Sequence, residues 1–265
     1  MIGYWVWLWL PLLVGITVVE AFGEHRLSLA ARCMRWPANL GLFGLQIATT
    51  SAMSMGLVYV AEVQTMASPM FGNFAALPLG VEVPLFLAVF SFFTYWLHRF
   101  SHQIRPLWLL HRIHHCDPVV DPSTSLRHHP GEAAVGFVVY QLPIFLLHPS
   151  LEAVAIVALV ERCFAAATHT SLTLPGGLER VLALVFVTPQ QHNLHHSDYA
   201  PETNSNYGTV LNVWDRVFGT FCARPIRDAA QFRHGLAEVP SEKAEDLLIL
   251  LALPALGRDP WRGRG

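Results

Sequence analysis

The chain has 265 residues, of which 53% are hydrophobic and only 14% are charged. Soluble domains carry about 25% charged residues, and the mean hydropathy here is +0.39, so a disordered chain and an ordinary cytosolic domain are both excluded. The formal net charge of −2 argues against nucleic acid as a partner. The composition is that of an integral membrane protein with the length of one large domain or two small ones.

Apolar runs predict about four membrane-spanning helices and an all-α fold. The runs cover residues 4–19, 37–61, 83–97 and 133–160, and about 20 apolar residues in a helix cross a bilayer. We expect the first run to be a membrane helix rather than a signal peptide, because no basic residue precedes it. The fourth run is interrupted by a proline at position 149, which stops or kinks a helix. A hairpin of two helices and one kinked span are both consistent with this pattern.

The basic residues orient these helices. Arg26, Arg32 and Arg35 lie between the first two apolar runs, whereas residues 66–81, between the second and third, contain no lysine or arginine. Because basic residues concentrate in cytoplasmic loops, the first loop is predicted to be cytoplasmic and the second to lie outside. The chain returns to the cytoplasm at His98, so we expect all histidine clusters to form one cytoplasmic, histidine-rich helical cap.

Histidine is concentrated in three short clusters. One has the spacing HxxxH and two have the spacing HxxHH. The eight clustered residues are His98, His102, His111, His114, His115, His192, His195 and His196. Residues three and four apart share one face of a helix, so each cluster can direct two or three imidazoles towards a common point. Imidazole binds iron, zinc, copper or nickel, and eight imidazoles exceed the needs of one ion, so the clusters predict two metal ions.

Residues near the clusters are candidates for further roles. His169 directly follows an apolar helix and is predicted to be another ligand. Metal-bound histidines usually donate their second ring nitrogen to a carboxylate or carbonyl. The candidates for this outer layer are His129, Glu132, Asp198 and Asp215, with Asp117 and Asp121. His129 is also open to interpretation as a ligand or a helix cap, and His128 is interpreted as structural.

Two metals held by imidazoles at the edge of an apolar bundle suit the activation of O₂ for oxidation of a lipid, since the protein then fixes the metals and excludes water. The alternative is a membrane protein that binds or transports divalent metals without redox turnover. Transport would place ionisable residues within the spans, and the apolar runs contain almost none. A zinc protease of the HExxH type is excluded because the chain has no such motif.

The order of the clusters and the residues around them resembles the fatty acid hydroxylase superfamily, which includes sterol desaturases and C4-sterol methyl oxidases. Residues 127–132 are similar to the RxHPxE stretch of that family. Residues 206–208 are similar to its NYG, and residues 214–220 to the WDxxFGT that follows. The similarity covers about residues 85–222.

The resemblance implies a membrane-bound, non-heme di-iron oxidoreductase of lipid biosynthesis. Such an enzyme is an O₂-dependent monooxygenase or desaturase that acts on a C–H bond of a sterol or fatty acyl lipid. The eight clustered histidines would hold two iron ions per chain, with zinc in their place after overexpression. His169 matches the first histidine of a further HxxxH found in some members, and Thr173 stands at the second position. A water molecule and His129 are the alternatives for that coordination position.

A separate electron donor is also implied, because the chain has no GxGxxG, iron–sulfur cysteine set or flavin motif. The resemblance points to a ferredoxin or a b-type cytochrome with its reductase. We divide the chain into N-terminal membrane helices at 1–82, a di-iron catalytic domain at 83–222 and a cytoplasmic tail at 223–265. The sequence distinguishes neither hydroxylation from desaturation nor one lipid class from another.

Overall fold

The computed structural model describes residues 2–22, 29–64, 73–225 and 232–256. These residues form α-helices and short 3₁₀ turns and, apart from two isolated β-bridges, no β-structure, as expected of the all-α class. Arg26, positions 66–72 of the predicted outer loop, and positions 226–231 and 257–265 of the predicted tail lie outside the described residues.

Five long helices and one shorter helix build the main body. They are α1 (Ile2–Ala21), α2 (Leu29–Gln64), α3 (Leu79–Gln103), α4 (Arg105–His115), α5 (Pro130–Leu147) and α6 (Leu151–Thr168). His148 ends α5 in a left-handed conformation with φ at 45°, and the Ser150 hydroxyl starts α6 by accepting the Ala153 amide. The break at Pro149 therefore separates two helices and does not kink one.

Packing around α3 defines the described part of the bundle. This helix contacts α4, α5 and α6, while α2 packs against α5 and α1 against α6. Phe86 of α3 is buried with Leu147 and Val157, which come from α5 and α6. Trp9 of α1 is buried in a second cluster with Ala166 of α6.

Two of the described helices, α3 and α5, are long and apolar enough to cross a membrane. Only 28% and 17% of their most apolar stretches are buried, which suits helices whose outer faces contact lipid better than the core helices of a soluble domain. Together with the overall composition, this supports a membrane protein. About four spans and a cytoplasmic cap remain predictions.

Short helices follow α6 in the described chain and are together called the cap. They are α7 (Gly176–Leu182), α8 (Pro189–His195), α9 (Ala200–Thr203), α10 (Val213–Val217), α11 (Ser241–Ala244) and α12 (Leu247–Ala252). A capping box between Thr188 and Gln191 begins α8. Because α8 contacts α6 and α10 contacts α3, the cap is fixed to the helices of the main body.

A buried ion-pair network joins α2 to the segment after α4. Arg35 is 1% exposed and donates to Asp117 at 2.7 Å and to Asp121 at 3.2 Å. Arg32 similarly pairs with Glu20 at 2.9 Å. The prediction of orientation treated both arginines as loop charges, but their charges are neutralised inside the protein. Asp117 and Asp121, which the sequence offered as partners of metal-bound histidines, are partners of Arg35 instead.

Candidate metal centre

The last turn of α3 and the second half of α4 bring five histidines together. His98 and His102 are four residues apart on α3, which ends when Ile104 becomes extended. Pro106 then favours the first turn of the new helix. The sharp change of direction between the helices turns the histidines of α4 back towards those of α3, and the rings of His98 and His111 lie 4.8 Å apart.

Nine histidines form two adjacent groups. In each group, every member offers a ring nitrogen within 4.8 Å of those of the other members. The five-histidine group contains His98, His102, His111, His115 and His195. The four-histidine group contains His114, His169, His192 and His196. All nine histidines that the sequence singled out as ligands therefore lie in one of the two groups, and all but the half-buried His98 are buried.

Two imidazoles of each HxxHH cluster belong to one group, and the third belongs to the other. In α4, the first and last histidines, His111 and His115, join the five-histidine group, and His114 joins the other. At α8 the assignment is reversed, because only the middle residue, His195, joins the five-histidine group. The helical repeat explains the division, since a residue four positions along is rotated by about 40° and consecutive residues differ by about 100°.

Two nitrogens in the five-histidine group face each other without a proton to share. The Nδ1–H of His98 donates to the Tyr207 carbonyl at 2.8 Å, and the Nδ1–H of His195 donates to the Ser205 carbonyl at 2.7 Å. In a neutral ring the Nε2 then carries a lone pair, yet the two Nε2 atoms are 2.9 Å apart. Burial lowers the pKa of His195 to about 3, so these rings do not relieve the repulsion by protonation. A cation between them does.

His169 occupies the equivalent position in the four-histidine group. Its Nδ1–H donates to the Ala165 carbonyl at 2.6 Å, which again leaves a lone pair on Nε2. That Nε2 lies 3.1, 2.9 and 3.2 Å from the Nε2 atoms of His114, His192 and His196. Burial lowers the pKa of His169 to about 3 and lowers those of its three neighbours well below the ordinary value.

These spacings fit bound metal ions. Ligand nitrogens about 2.0–2.1 Å from one ion lie roughly 2.9–3.4 Å from one another, which covers the Nε2 distances in both groups. Both ring nitrogens of His102 are buried and, within the described residues, have no hydrogen-bond partner, as a ligand poised for a metal would. A donor set of imidazoles alone suits iron or zinc and not magnesium or calcium.

Glu132 links the five-histidine group to a tenth histidine. One of its oxygens accepts from Nδ1 of His111 at 2.7 Å and from Nδ1 of His128 at 3.0 Å. The ring of His128 stacks on that of His114 with centroids 4.5 Å apart. The predicted outer-layer position of Glu132 agrees with this geometry, whereas His128 is closer to the metal centre than its structural interpretation suggested.

His129 and Asp198 lie away from the two groups. The Nδ1 of His129 accepts the Gly131 amide, which caps α5, and its Nε2 faces the Leu251 carbonyl at 3.3 Å. His129 therefore acts as the cap of α5, which is one of the roles that the sequence allowed, and lies outside both histidine groups. Asp198 is exposed, and its amide donates to the Arg233 carbonyl. Thr173 is also exposed, and the four-histidine group forms without it.

Asp215 supports the metal centre through the backbone. Its carboxylate accepts the amides of Tyr207 and Gly208, each at 2.8 Å, and thereby positions the carbonyl that binds His98. A Cβ on Gly208 would lie 2.4 Å from the Leu211 carbonyl oxygen, so glycine is required there. Asn206 adopts φ of 52°, a conformation that asparagine tolerates. The NYG and WD motifs thus build the loop behind the metal centre.

A cavity of about 440 Å³ leads from both histidine groups into the helical bundle. His98, His111, His114, His169 and His192 are the grouped histidines that line it. Apolar side chains from α2, α3 and α5 line much of the remainder, including Phe43, Phe90, Leu97 and Phe137. The cavity has the volume and lining expected of a site for an apolar ligand.

Residues 83–220 match the fatty acid hydroxylase family. The chain belongs to this family. The matched segment contains all nine grouped histidines, Glu132, and the NYG and WD motifs, so the predicted resemblance is confirmed. No solved structure matches the chain.

Relatives of known function carry out related oxidations. The chain is 30% identical to ornithine lipid hydroxylase of Rhizobium tropici over 67% of its own length and 53% of the relative's. It is 32% identical to human alkylglycerol monooxygenase over 51% and 29% of the two chains. Identity to a Delta(7)-sterol 5(6)-desaturase of Aspergillus fumigatus is 26% over 68% and 50%. The chain thus spans about half the length, or less, of these relatives, which are all oxidoreductases, as predicted for this family.

Proposed function

We propose that the chain is a membrane-bound, non-heme di-iron oxygenase that hydroxylates or desaturates a C–H bond of a lipid, using O₂ and electrons from a separate donor. The observation that carries this proposal is the pair of buried groups in which neutral imidazoles face one another with lone pairs. The five-histidine group and the four-histidine group would each hold one ion. Bound ferrous ions would pass electrons to O₂, which is the oxidant in C–H cleavage, and the separate donor would restore the ferrous state.

The residues of this chain prepare the reaction in three ways. Hydrogen bonds from the Nδ1–H groups to carbonyl or carboxylate oxygens fix the orientation of four rings, those of His98, His111, His169 and His195. The apolar cavity holds a lipid chain against the histidines and keeps water away from the reacting carbon. Nearness of one C–H bond to the metal centre would decide the position of oxidation. Ferredoxin or a b-type cytochrome with its reductase remains the proposed source of electrons.

Metal content tests the proposal. Detergent-purified wild-type protein should contain close to two iron ions per chain, or zinc in their place after overexpression, and His195→Ala should lose most of this metal because it opens the five-histidine group. His148→Asn is the matched control, since His148 lies between α5 and α6 and outside both groups, and asparagine tolerates its left-handed backbone.

Products of a reconstituted reaction separate the chemical outcomes. With iron, O₂ and a ferredoxin system, mass spectrometry of bacterial membrane lipids should show a gain of one oxygen or a loss of two hydrogens. Well-folded protein without stoichiometric metal would overturn the di-iron assignment. Two bound ions with no O₂ consumption would favour the alternative of a metal-binding or transport protein without redox turnover.

A further inference from the structure

One wall of the cavity is a single face of α6. Ala158, Glu161, Ala165 and His169 all line it, at spacings of three and four residues that place them on one side of the helix. His169 belongs to the four-histidine group. With a rise of 1.5 Å per residue, Glu161 lies about 12 Å along the axis from His169. An acidic side chain therefore faces the cavity at a fixed distance from the metal centre.

One carboxylate oxygen of Glu161, Oε1, is buried and forms no hydrogen bond within the described residues. The neighbouring Arg162 also lines the cavity, but its side chain is exposed and forms no salt bridge with Glu161. A buried carboxylate oxygen without a partner is costly, and an ionisable residue halfway along an apolar helix is typical of a functional site.

Glu132, Thr50 and Ser54 also line the cavity, but each is engaged by the protein. Glu132 also has an unpartnered oxygen, but its other oxygen accepts from two histidines of the metal centre. The hydroxyls of Thr50 and Ser54 donate to carbonyls of their own helix. Glu161 thus offers a buried acceptor oxygen that lies away from the histidines and is open to a ligand.

We propose that Glu161 binds a hydrogen-bond donor on the lipid substrate, a hydroxyl or an ammonium group, and thereby determines which carbon lies at the metal centre. This inference rests on the proposed lipid oxygenase function and adds the substrate class. The substrate is a lipid with a donor on the order of 10 Å from the carbon that is oxidised, as the helical rise between Glu161 and His169 requires. A lipid without a hydrogen-bond donor would bind with no particular carbon fixed at the metal centre.

The test compares three probes with one chain length: hexadecanol, hexadecylamine and methyl hexadecyl ether, which has no donor. Binding of each tritiated probe to the metal-loaded, detergent-purified chain is measured by scintillation proximity. A hydrogen bond to a charged group supports a difference of about ten- to a hundredfold in Kd. We expect the alcohol or the amine to bind wild-type protein more tightly than the ether by that factor.

Two variants and a control assign the effect to Glu161. Glu161→Leu should abolish the preference for a donor. Glu161→Gln keeps a neutral acceptor, so it should retain a preference for the alcohol but lose one for the amine, which distinguishes a hydroxyl from an ammonium substrate. Glu152→Gln is the matched control, because Glu152 is exposed on the same helix and does not line the cavity, and it should bind all three probes as wild type does.

Failure of this inference is distinct from failure of the proposed function. Equal binding of the three probes by wild-type protein, or an unchanged donor preference in Glu161→Leu with full metal content, would overturn the role of Glu161 while leaving the oxygenase intact. Donor binding that depends on Glu161 in a protein that never consumes O₂ would support the binding site and overturn the oxygenase.

Discussion

A hydrogen bond on one side of an imidazole determines what the other side presents. At His98, His169 and His195 the acceptor is a backbone carbonyl, and at His111 it is Glu132. The sequence could predict Glu132, because a carboxylate near a histidine cluster is recognisable from its type. It could not predict the carbonyls, because every residue carries one and only the fold decides which carbonyl lies beside a ring.

Glu132→Gln tests the outer layer directly. The Glu132 carboxylate accepts hydrogen bonds from His111 and His128. Glutamine offers only an uncharged oxygen in its place, so the hydrogen bond that orients the His111 ring should be weaker. We expect metal affinity to fall by about 10- to 100-fold, measured by competition with a calibrated chelator. Glu152→Gln, on an exposed surface, is the control. Unchanged affinity in Glu132→Gln would show that the carboxylate does not support the metal centre.

At the scale of helices and loops, spacing predicts which residues share a helix but not how the helix is rotated. Spacing therefore predicts that two or three imidazoles of each HxxHH cluster share a point, but only the fold shows which two do and that the third joins the other group. Glu161 escaped the sequence analysis because it directly follows an apolar run and belongs to no motif. Only the packing of α6 beside the cavity shows that the Glu161 side chain lines that cavity.

The loop that carries the NYG motif is predicted to be intolerant of any side chain at Gly208. A methyl group there would approach the Leu211 carbonyl and the Asp215 carboxylate, so Gly208→Ala must shift the loop and with it the Tyr207 carbonyl that binds His98. We expect about 1–3 kcal/mol lower stability and weaker metal binding, measured by thermal unfolding and metal content.

Gly177→Ala provides the comparison for this loop variant. A Cβ on Gly177 would meet no atom within 4 Å, and alanine favours the helix in which it lies. Metal content and unfolding temperature should therefore equal or exceed those of wild type. Equal behaviour of Gly208→Ala and Gly177→Ala would refute the requirement for glycine at position 208.

For the molecule as a whole, burial of so many neutral histidines makes the metal-free protein sensitive to acid. Burial lowers the pKa of both His169 and His195 to about 3, whereas a histidine in an unfolded chain titrates near pH 6.5. Between about pH 6.5 and 3, the unfolded chain takes up protons that the folded chain does not. Stability therefore decreases as the pH falls through that range.

Thermal unfolding of the metal-free protein in detergent would measure this effect. We expect the Tm to fall once the pH drops below about 6.5, with a cost on the order of a few kcal/mol per buried histidine by the acid end of the range. Bound metal should delay the fall to lower pH, because metal competes with protons for the same nitrogens. A Tm that stays constant from about pH 7 to 5 without metal would contradict the prediction.

The opposite division of the two HxxHH clusters ties the two histidine groups into one body. Since α4 and α8 each contribute histidines to both groups, any rotation or shift of either helix displaces histidines of both groups together. A substitution that favoured metal binding in one group would weaken it in the other, unless a second substitution on the other helix compensated. Neither metal position can therefore be retuned alone, and we expect a substitution in either helix to change metal binding by both groups at once.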